Sequence, residues 1–502
     1  MNVLFANLPF IKYDERGRIH TGPNAGSRWP WTLPGITDYA CFPFFMAYAV
    51  QYHLKHGIDA SFYDAVALRH WNYDTVREAI AAYRPQVLVL ETSTPMFRTV
   101  REFAVWAKES LGSRIVLVGP HVQAFAEELA KEPFVDHCVV GEYEKGTLDV
   151  VRRGADAKQV YVFEQLDDID RVGADNFVPY RPLEYLANYW DPSMNTARPQ
   201  LQISTSRGCP FKCTYCQWPK VMNNGRYRRR DPELVIDEIR QVLGEYRRYR
   251  AGRGSNLVVD LVRENARFMK DRARGIFQGQ QSVGQVLRGM VDPGIQSIFF
   301  DDDTWNLGPA RIAALCRGLK EIGLPWTMMG RIDTTERPLF DLMVDSGCVG
   351  MRFGVESFNQ RLLDNTKKHL SAATSQENIR YLLTHFSGLE FHFTTMKNLP
   401  GETEEDWQND LRIMNELEAL GARSGNVVHW QNASCVAFPG TELWDEMVSL
   451  GKGDRLRDFD LYDGHPRNEH SLAEAVGWLG ADYRAKWSKY SKMGEPTQFP
   501  TE

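Results

Sequence analysis

The stretch Ser206-Arg207-Gly208-Cys209-Pro210-Phe211-Lys212-Cys213-Thr214-Tyr215-Cys216 gathers three of the chain's eight cysteines into eight residues. It follows a short apolar run at 201–205 that reads as a β-strand. Thiolates at C-x3-C-x2-C spacing suit a soft metal centre, because three sulfurs on one loop can wrap an iron-sulfur cluster. A four-iron cluster with only three protein ligands keeps one iron open to a bound molecule. The competing reading is a zinc site, which needs a fourth Cys or His. None stands near: His121 and Cys138 lie far upstream, Cys316 and His369 far downstream.

Outward from the triplet, strand candidates recur at 201–205, 297–301, 326–329, 350–355, 390–397 and 427–433. Helical segments at 232–246, 309–322, 337–346, 402–420 and 441–450 separate them. Six βα units predict a partial or complete parallel barrel of the TIM type, with chemistry at the strand C-termini. Upstream, apolar runs at 3–7, 60–64, 87–91, 115–119 and 137–141 alternate with helix-length segments. That repetition predicts a parallel, doubly wound, Rossmann-like sheet. Its strands end in Asn7-Leu8-Pro9, Thr92-Ser93-Thr94, Gly119-Pro120-His121 and Gly141-Glu142, where such sheets hold ligands. The α/β organisation expected is a first domain at 1–153, a linker at 154–199, a barrel at 200–450 and a C-terminal extension at 451–502.

Composition narrows the class. Of 502 residues 43% are apolar and 25% charged, with a net charge of −6, so nothing points to nucleic acid. The longest apolar stretch, 40–50, is far short of the roughly 18 to 20 residues that cross a bilayer. The N-terminus lacks the basic start of a secretion signal, so the expected location is the cytoplasm. Cys41, Cys138, Cys316, Cys348 and Cys435 stand singly in apolar settings and read as small buried hydrophobes. An insertion at 246–294 breaks the barrel rhythm with Arg247, Arg248, Arg250, Arg253, Lys270, Arg272 and Arg274. It reads either as a solvated helical excursion or as a lid offering cations to an acidic substrate.

The cysteine triplet is joined by five further motifs, each at a strand end: Phe299-Phe300-Asp301-Asp302-Asp303-Thr304, Gly330-Arg331-Ile332-Asp333, Gly354-Val355-Glu356-Ser357, Asn398-Leu399-Pro400-Gly401-Glu402-Thr403 and Phe438-Pro439-Gly440-Thr441. In this order they resemble the radical S-adenosylmethionine (SAM) superfamily over residues 200 to 450. The resemblance implies a 4Fe-4S cluster on Cys209, Cys213 and Cys216, with SAM on its open iron. It implies Tyr215 against adenine, Asp302 and Asp303 near the cationic groups of SAM, Arg331 as a carboxylate clamp and Glu356 at the ribose. Leu399 departs from the glycine often found there. Pro400-Gly401 and Pro439-Gly440 read as turns, with Thr403 and Thr441 as helix N-caps and Asp406 completing a capping box for the first.

Residues 1 to 150 carry a second resemblance. Val118-Gly119-Pro120-His121, Val135-Asp136 and Gly141-Glu142-Tyr143-Glu144 look like the cobalamin-binding domain of one radical SAM branch, with Val118 and Tyr143 in place of glycines. It implies cobalamin held by Thr92, Ser93, Gly119, His121, Gly141 and Glu142. No Asp-x-His-x-x-Gly occurs in this half, so the cobalt's lower face is expected to lack a histidine. Such an enzyme takes electrons from a donor such as flavodoxin or ferredoxin and cleaves SAM to a 5′-deoxyadenosyl radical. It then methylates an unactivated carbon or phosphorus of a small molecule. The alternatives are a cobalamin-dependent enzyme that cyclises or rearranges without methyl transfer, similar to the anaerobic magnesium-protoporphyrin ester cyclase, or a non-catalytic cobalamin-binding protein. A tRNA methylthiotransferase would bring a second N-terminal cysteine trio and a basic C-terminal module, and neither is found.

Overall fold

The computed structural model describes residues 1–24, 32–194, 196–252, 294–464, 468 and 472. Two six-stranded sheets organise them. The first begins with β1 (Asn2–Asn7). The chain next makes a small antiparallel sheet from β2 (Phe10–Tyr13), β3 (Ile19–Gly22) and β4 (Leu33–Pro34). It returns through helix α1 (Phe44–Lys55) to β5 (Asp59–Asp64), then alternates α2 (Tyr73–Tyr83), β6 (Val87–Glu91), α3 (Phe97–Leu111), β7 (Arg114–Val118), α4 (Pro120–Leu129), β8 (His137–Val140), α5 (Glu144–Arg153) and β9 (Val160–Val162).

The strand order is β5-β1-β6-β7-β8-β9, with every pairing parallel. Val87-Leu88-Val89-Leu90 of β6 are all buried, as a strand covered by helices on both faces requires. The order reverses between β1 and β6, the switch point where sheets of this kind hold ligands, here beside Leu8-Pro9 and Thr92-Ser93. β9 lies in the stretch read as a linker from 154 onward. Its three residues, Val160-Tyr161-Val162, are too short to show a period, and only pairing with β8 reveals them as a strand. The remaining connector holds a ribbon of β10 (Arg171–Val172) and β11 (Asp175–Asn176).

The second sheet opens with β12 (Gln200–Ile203), then a two-stranded ribbon of β13 (Ser206–Arg207) and β14 (Arg228–Arg229). Helix α6 (Gln217–Val221) lies inside that ribbon's loop and α7 (Pro232–Gly252) follows it. β15 (Ser297–Phe300), β16 (Trp326–Gly330), β17 (Cys348–Glu356), β18 (Glu390–Lys397) and β19 (Val427–Ser434) pair in parallel and in chain order, an open (βα)6 barrel. Alternation divides each strand. Phe391 and Phe393 pack into the core under the outer helices with Met414 and Leu417, whereas His392 between them bonds across the inner wall to Gln431, Nε2 to Oε1 at 3.0 Å. Both expected caps form: Thr403 makes a capping box with Asp406, and the Thr441 side chain accepts from the Trp444 amide. α7 runs past the expected end at 246 to Gly252 and carries Arg247, Arg248 and Arg250. Arg253, Lys270, Arg272 and Arg274, and with them the lid reading of the insertion, lie outside the described residues.

Candidate active site

The cysteine loop leaves β12 at its C-terminal end. Asp302, just beyond β15, holds the root: it accepts from the Thr205 amide at 3.0 Å, from the Thr205 hydroxyl at 3.0 Å and from the Ser206 hydroxyl. Gly208, at φ +81°, turns the chain directly into Cys209, and a Cβ there would stand 2.4 Å from the Arg226 carbonyl oxygen. Three straps fix the rest. The Thr214 amide donates to Thr366 O at 3.0 Å, the Leu443 amide to Thr214 O at 2.9 Å, and Gln217 Nε2 to Pro439 O at 3.0 Å. The turn at Pro439-Gly440 thus meets the loop from the far end of the barrel.

Cys209, Cys213 and Cys216 are all half-buried thiols. Cys209 Sγ lies 3.3 Å from Thr304 Oγ1. Burial pushes the Cys209 and Cys216 thiols up, and Asp303 and the neighbouring sulfurs add to it. The three thiols thus lie within reach of one another's charge, which binding to a metal centre would relieve. Among the described residues no three His, Cys, Asp or Glu side chains close around a single ion. The donor chemistry, three thiols and no fourth ligand, fits a cluster held at three corners. The other five cysteines are buried, as the sequence implies.

Around the thiols the structure redistributes the expected roles. Asp302, spent on the loop root, is a buried anchor, and Asp303 is the exposed aspartate whose charge reaches Cys209 and Cys216. Arg331 is not an open clamp. Its guanidinium is bidentate on Asp333 at 3.0 and 2.8 Å, donates to the carbonyls of Lys368 and His369 at 2.9 and 3.2 Å, and stacks 3.7 Å from the Phe211 ring centroid. It braces the cysteine loop instead. Tyr215 keeps its place beside the thiols, with its hydroxyl buried and without a hydrogen-bond partner.

Glu356 stands at the end of β17, where Gly354 pairs with Thr394 but Glu356 already pairs with Thr395, a bulge that re-aims the side chain. Its backbone is left-handed, φ +67°, a conformation costing roughly 1–2 kcal/mol outside glycine. Lys368 Nζ bonds its Oε1 at 2.7 Å, with both groups buried. Lys368 was invisible as a site residue in sequence. It sits between Lys367 at φ +51° and His369 at φ +49°, in the same turn whose Thr366 carbonyl holds the cysteine loop and whose carbonyls hold Arg331. Strained residues gathered so tightly mark functional ground. The one sequence signal was a polar run, Asn365 to His369, shortly after a strand-end motif.

The edge of the first sheet meets this loop: Val118, Val139 and Tyr143 share a hydrophobic cluster with Val221 and Met222 of the α6 region. Of the residues named there from sequence, four are committed to the protein itself. A Cβ on Gly119 (φ +103°) would stand 2.9 Å from Thr92 N and O, and one on Gly141 (φ +90°) 2.7 Å from the Phe163 ring. Both glycines serve close backbone packing. The His121 ring is stacked on Phe97 at 4.6 Å, flanked by Phe125 and Phe459, and burial lowers its pKa to about 3. Glu142 is fully buried against Arg207 and Arg228. Thr92 and Ser93 remain at the crevice, where the Ser93 hydroxyl donates to Asn24 Oδ1 at 2.8 Å. Asn24 Nδ2 beside it, and Gln123 Oε1 facing Gly440, are buried without partners, each a deficit of about 1–3 kcal/mol that a polar ligand would relieve.

Comparison with known proteins agrees with this geometry. Residues 203–414 match the Radical SAM superfamily. These residues, which include β15 to β18, form a radical SAM domain. The chain is 23% identical over 429 residues to the uncharacterized methyltransferase PH0819 of Pyrococcus horikoshii, covering 81% of this chain and 79% of that one. It is 27% identical over 449 residues to the anaerobic magnesium-protoporphyrin IX monomethyl ester cyclase of Rubrivivax gelatinosus, covering 84% of this chain and 68% of the cyclase. Among solved structures, the radical SAM methyltransferase TsrM of Kitasatospora setae, with cobalamin and a 4Fe-4S cluster bound, superposes at a TM-score of 0.60. That match has 15% identity over 90% of this chain and 79% of TsrM, so the fold of both sheets is shared.

Proposed function

We propose that the radical SAM domain works with a corrinoid seated at the edge of the first sheet, and that the enzyme methylates a small molecule. The observation that carries the reading is the placement of the three-thiol loop at the barrel mouth, against the strand ends of a doubly wound sheet. When bound, a cluster with an open iron would supply the electron that cleaves SAM, and the corrinoid would supply the methyl group. Cys209, Cys213 and Cys216 would hold the cluster. Lys368, with two ammonium hydrogens left after its bond to Glu356, would take the carboxylate role read for Arg331, and Glu356 would face the ribose beside Tyr215. Asp303 would offer negative charge to the cationic groups of SAM. Asn24 and Gln123, one an amide donor and one an amide acceptor, suit the amide-rich rim of a corrin; Thr92 and Ser93 would line the same crevice.

Below the mouth, the barrel's inner wall is polar: Arg352 faces Asp191 at 3.6 Å, and His429 Nε2 bonds Glu390 at 2.7 Å beside His392. Such a wall suits a polar small-molecule substrate. No helix among the described residues is long and apolar enough to cross a membrane. A cytoplasmic enzyme fed by a flavodoxin or ferredoxin fits the reading.

The test is anaerobic turnover of reconstituted protein with methyl-deuterated SAM and candidate small molecules. Formation of both 5′-deoxyadenosine and S-adenosylhomocysteine is expected, with label in the product. The similarity to the ester cyclase favours one second reading, a corrinoid-dependent cyclisation without methyl transfer. Deoxyadenosine and methionine without S-adenosylhomocysteine would select it.

A further inference from the structure

The motif Gly141-Glu142-Tyr143-Glu144 is not spent on the crevice. Its two carboxylates are fully buried and turned toward the barrel, where they meet Arg207 and Arg228. Those arginines are directly opposed cross-strand partners in the β13–β14 ribbon that brackets the cysteine loop at both roots. Like charges opposite one another in a ribbon repel, and buried guanidiniums need compensating charge. Glu142 supplies it to both: Oε1 lies 3.2 Å from Arg207 Nη1 and accepts from Arg228 Nη2, and Oε2 accepts from Arg228 Nη1 at 3.2 Å. Glu144 Oε1 accepts from Arg207 Nη2 at 2.7 Å.

Leu166 and Tyr48 flank the group. The Leu166 amide donates to Glu142 Oε2 at 3.1 Å, and the Leu166 carbonyl accepts from Arg228 at 2.6 Å. The Tyr48 ring lies 4.6 Å from the Arg207 guanidinium. Burial alone would raise the Glu142 carboxyl, but the two guanidiniums outweigh it and hold it below the usual range. Burial and the Glu142 charge outweigh Arg207 at Glu144 and hold its carboxyl above the usual range, so Glu142 is the carboxylate that chiefly balances the guanidiniums, two residues from Cys209.

We propose that Glu142 and Glu144 are positioning residues for the cysteine loop, closing its ribbon around Arg207 and Arg228 and setting the charge beneath the metal centre. The inference rests on the reading of that centre as a redox cluster. A charge left unbalanced so close to a cluster shifts its reduction potential in a direction set by its sign.

The experiment uses the full chain, anaerobically reconstituted, as wild type, Glu142→Gln, Arg207→Met and the double variant. It reads iron per chain, the cluster midpoint potential by redox titration, and affinity for hydroxocobalamin. Glu142→Gln is expected to shift the potential positive and Arg207→Met negative, with the double variant between them and hydroxocobalamin affinity unchanged within twofold throughout. Opposite signs from the two ends of one pair cannot come from loosened packing. If the single variants fold poorly, the double variant, which restores zero net charge to the group, takes up more iron than either. Potentials unmoved or moved in the same direction at full iron overturn the inference, as does a double variant no better loaded than the singles. A tenfold loss of hydroxocobalamin affinity in Glu142→Gln with unchanged potential also overturns it and returns the motif to the crevice. Wild-type protein that takes up zinc and no iron sinks the reading of the centre itself, whereas normal wild-type behaviour with unmoved variants sinks only this inference.

Discussion

The mouths of the two sheets were legible to different depths. At the barrel mouth the named residues lie within reach of one another's charge: Tyr215 with Glu356, Cys213 and Cys216, and Cys216 with Asp303 and Cys209. At the edge of the first sheet they disperse into the protein's own packing, His121 among aromatic rings, Glu142 among arginines, and Gly119 and Gly141 against backbone and ring. The difference is chemical. Thiols have few structural uses in a cluster of three, whereas glycines, a histidine and a glutamate at strand ends serve packing and ion pairing as readily as ligand binding.

The sharpest way to break this contrast is Cys213→Ala. It is expected to lower 5′-deoxyadenosine formation to background and to reduce iron per chain, with the melting temperature little changed because the thiol is half-buried. Retained deoxyadenosine would dissolve the barrel-mouth site. Lys368→Met comes next, because it leaves Glu356 buried and unpaired; a loss of about 3–5 kcal/mol in denaturant unfolding is expected, with an increased KM for SAM. An unchanged KM would hand the carboxylate role back to another cation.

His121→Phe probes the other edge. Since the folded pKa, about 3, lies below the unfolded value near 6.5, neutral His121 contributes stability that is complete above pH 6.5 and is lost as pH falls toward 3. The variant should retain hydroxocobalamin binding and lose less melting temperature than wild type between pH 6.5 and pH 4. Lost cobalamin binding would make the ring part of the crevice after all. The smallest effect is expected from Thr403→Ala, about 1 kcal/mol from the capping box at the helix Glu404–Arg423, read by thermal unfolding.

Local chemistry made much of the molecule readable. Strand β6 was delimited by its own apolar run and β18 by alternation, and the capping box was visible as Thr403 and Asp406 three apart. β9 was not, since three residues carry no period. Arg331 was misjudged because a guanidinium at a strand end looks the same in sequence whether it faces a ligand or, as here, Asp333 and the Phe211 ring.

By itself the chain's sequence determined two parallel sheets and a loop of three thiols at the end of one of them, because hydrophobic period and cysteine spacing are local quantities. Only the tertiary structure decided which charged groups face the site and which hold it in place. Lys368 entered, Asp302 and Arg331 became braces, and Glu142 and Glu144 crossed from one sheet to the other's arginines. The worth of a buried charge depends on its partner, and Glu142 and Arg228 stand 86 residues apart in the chain.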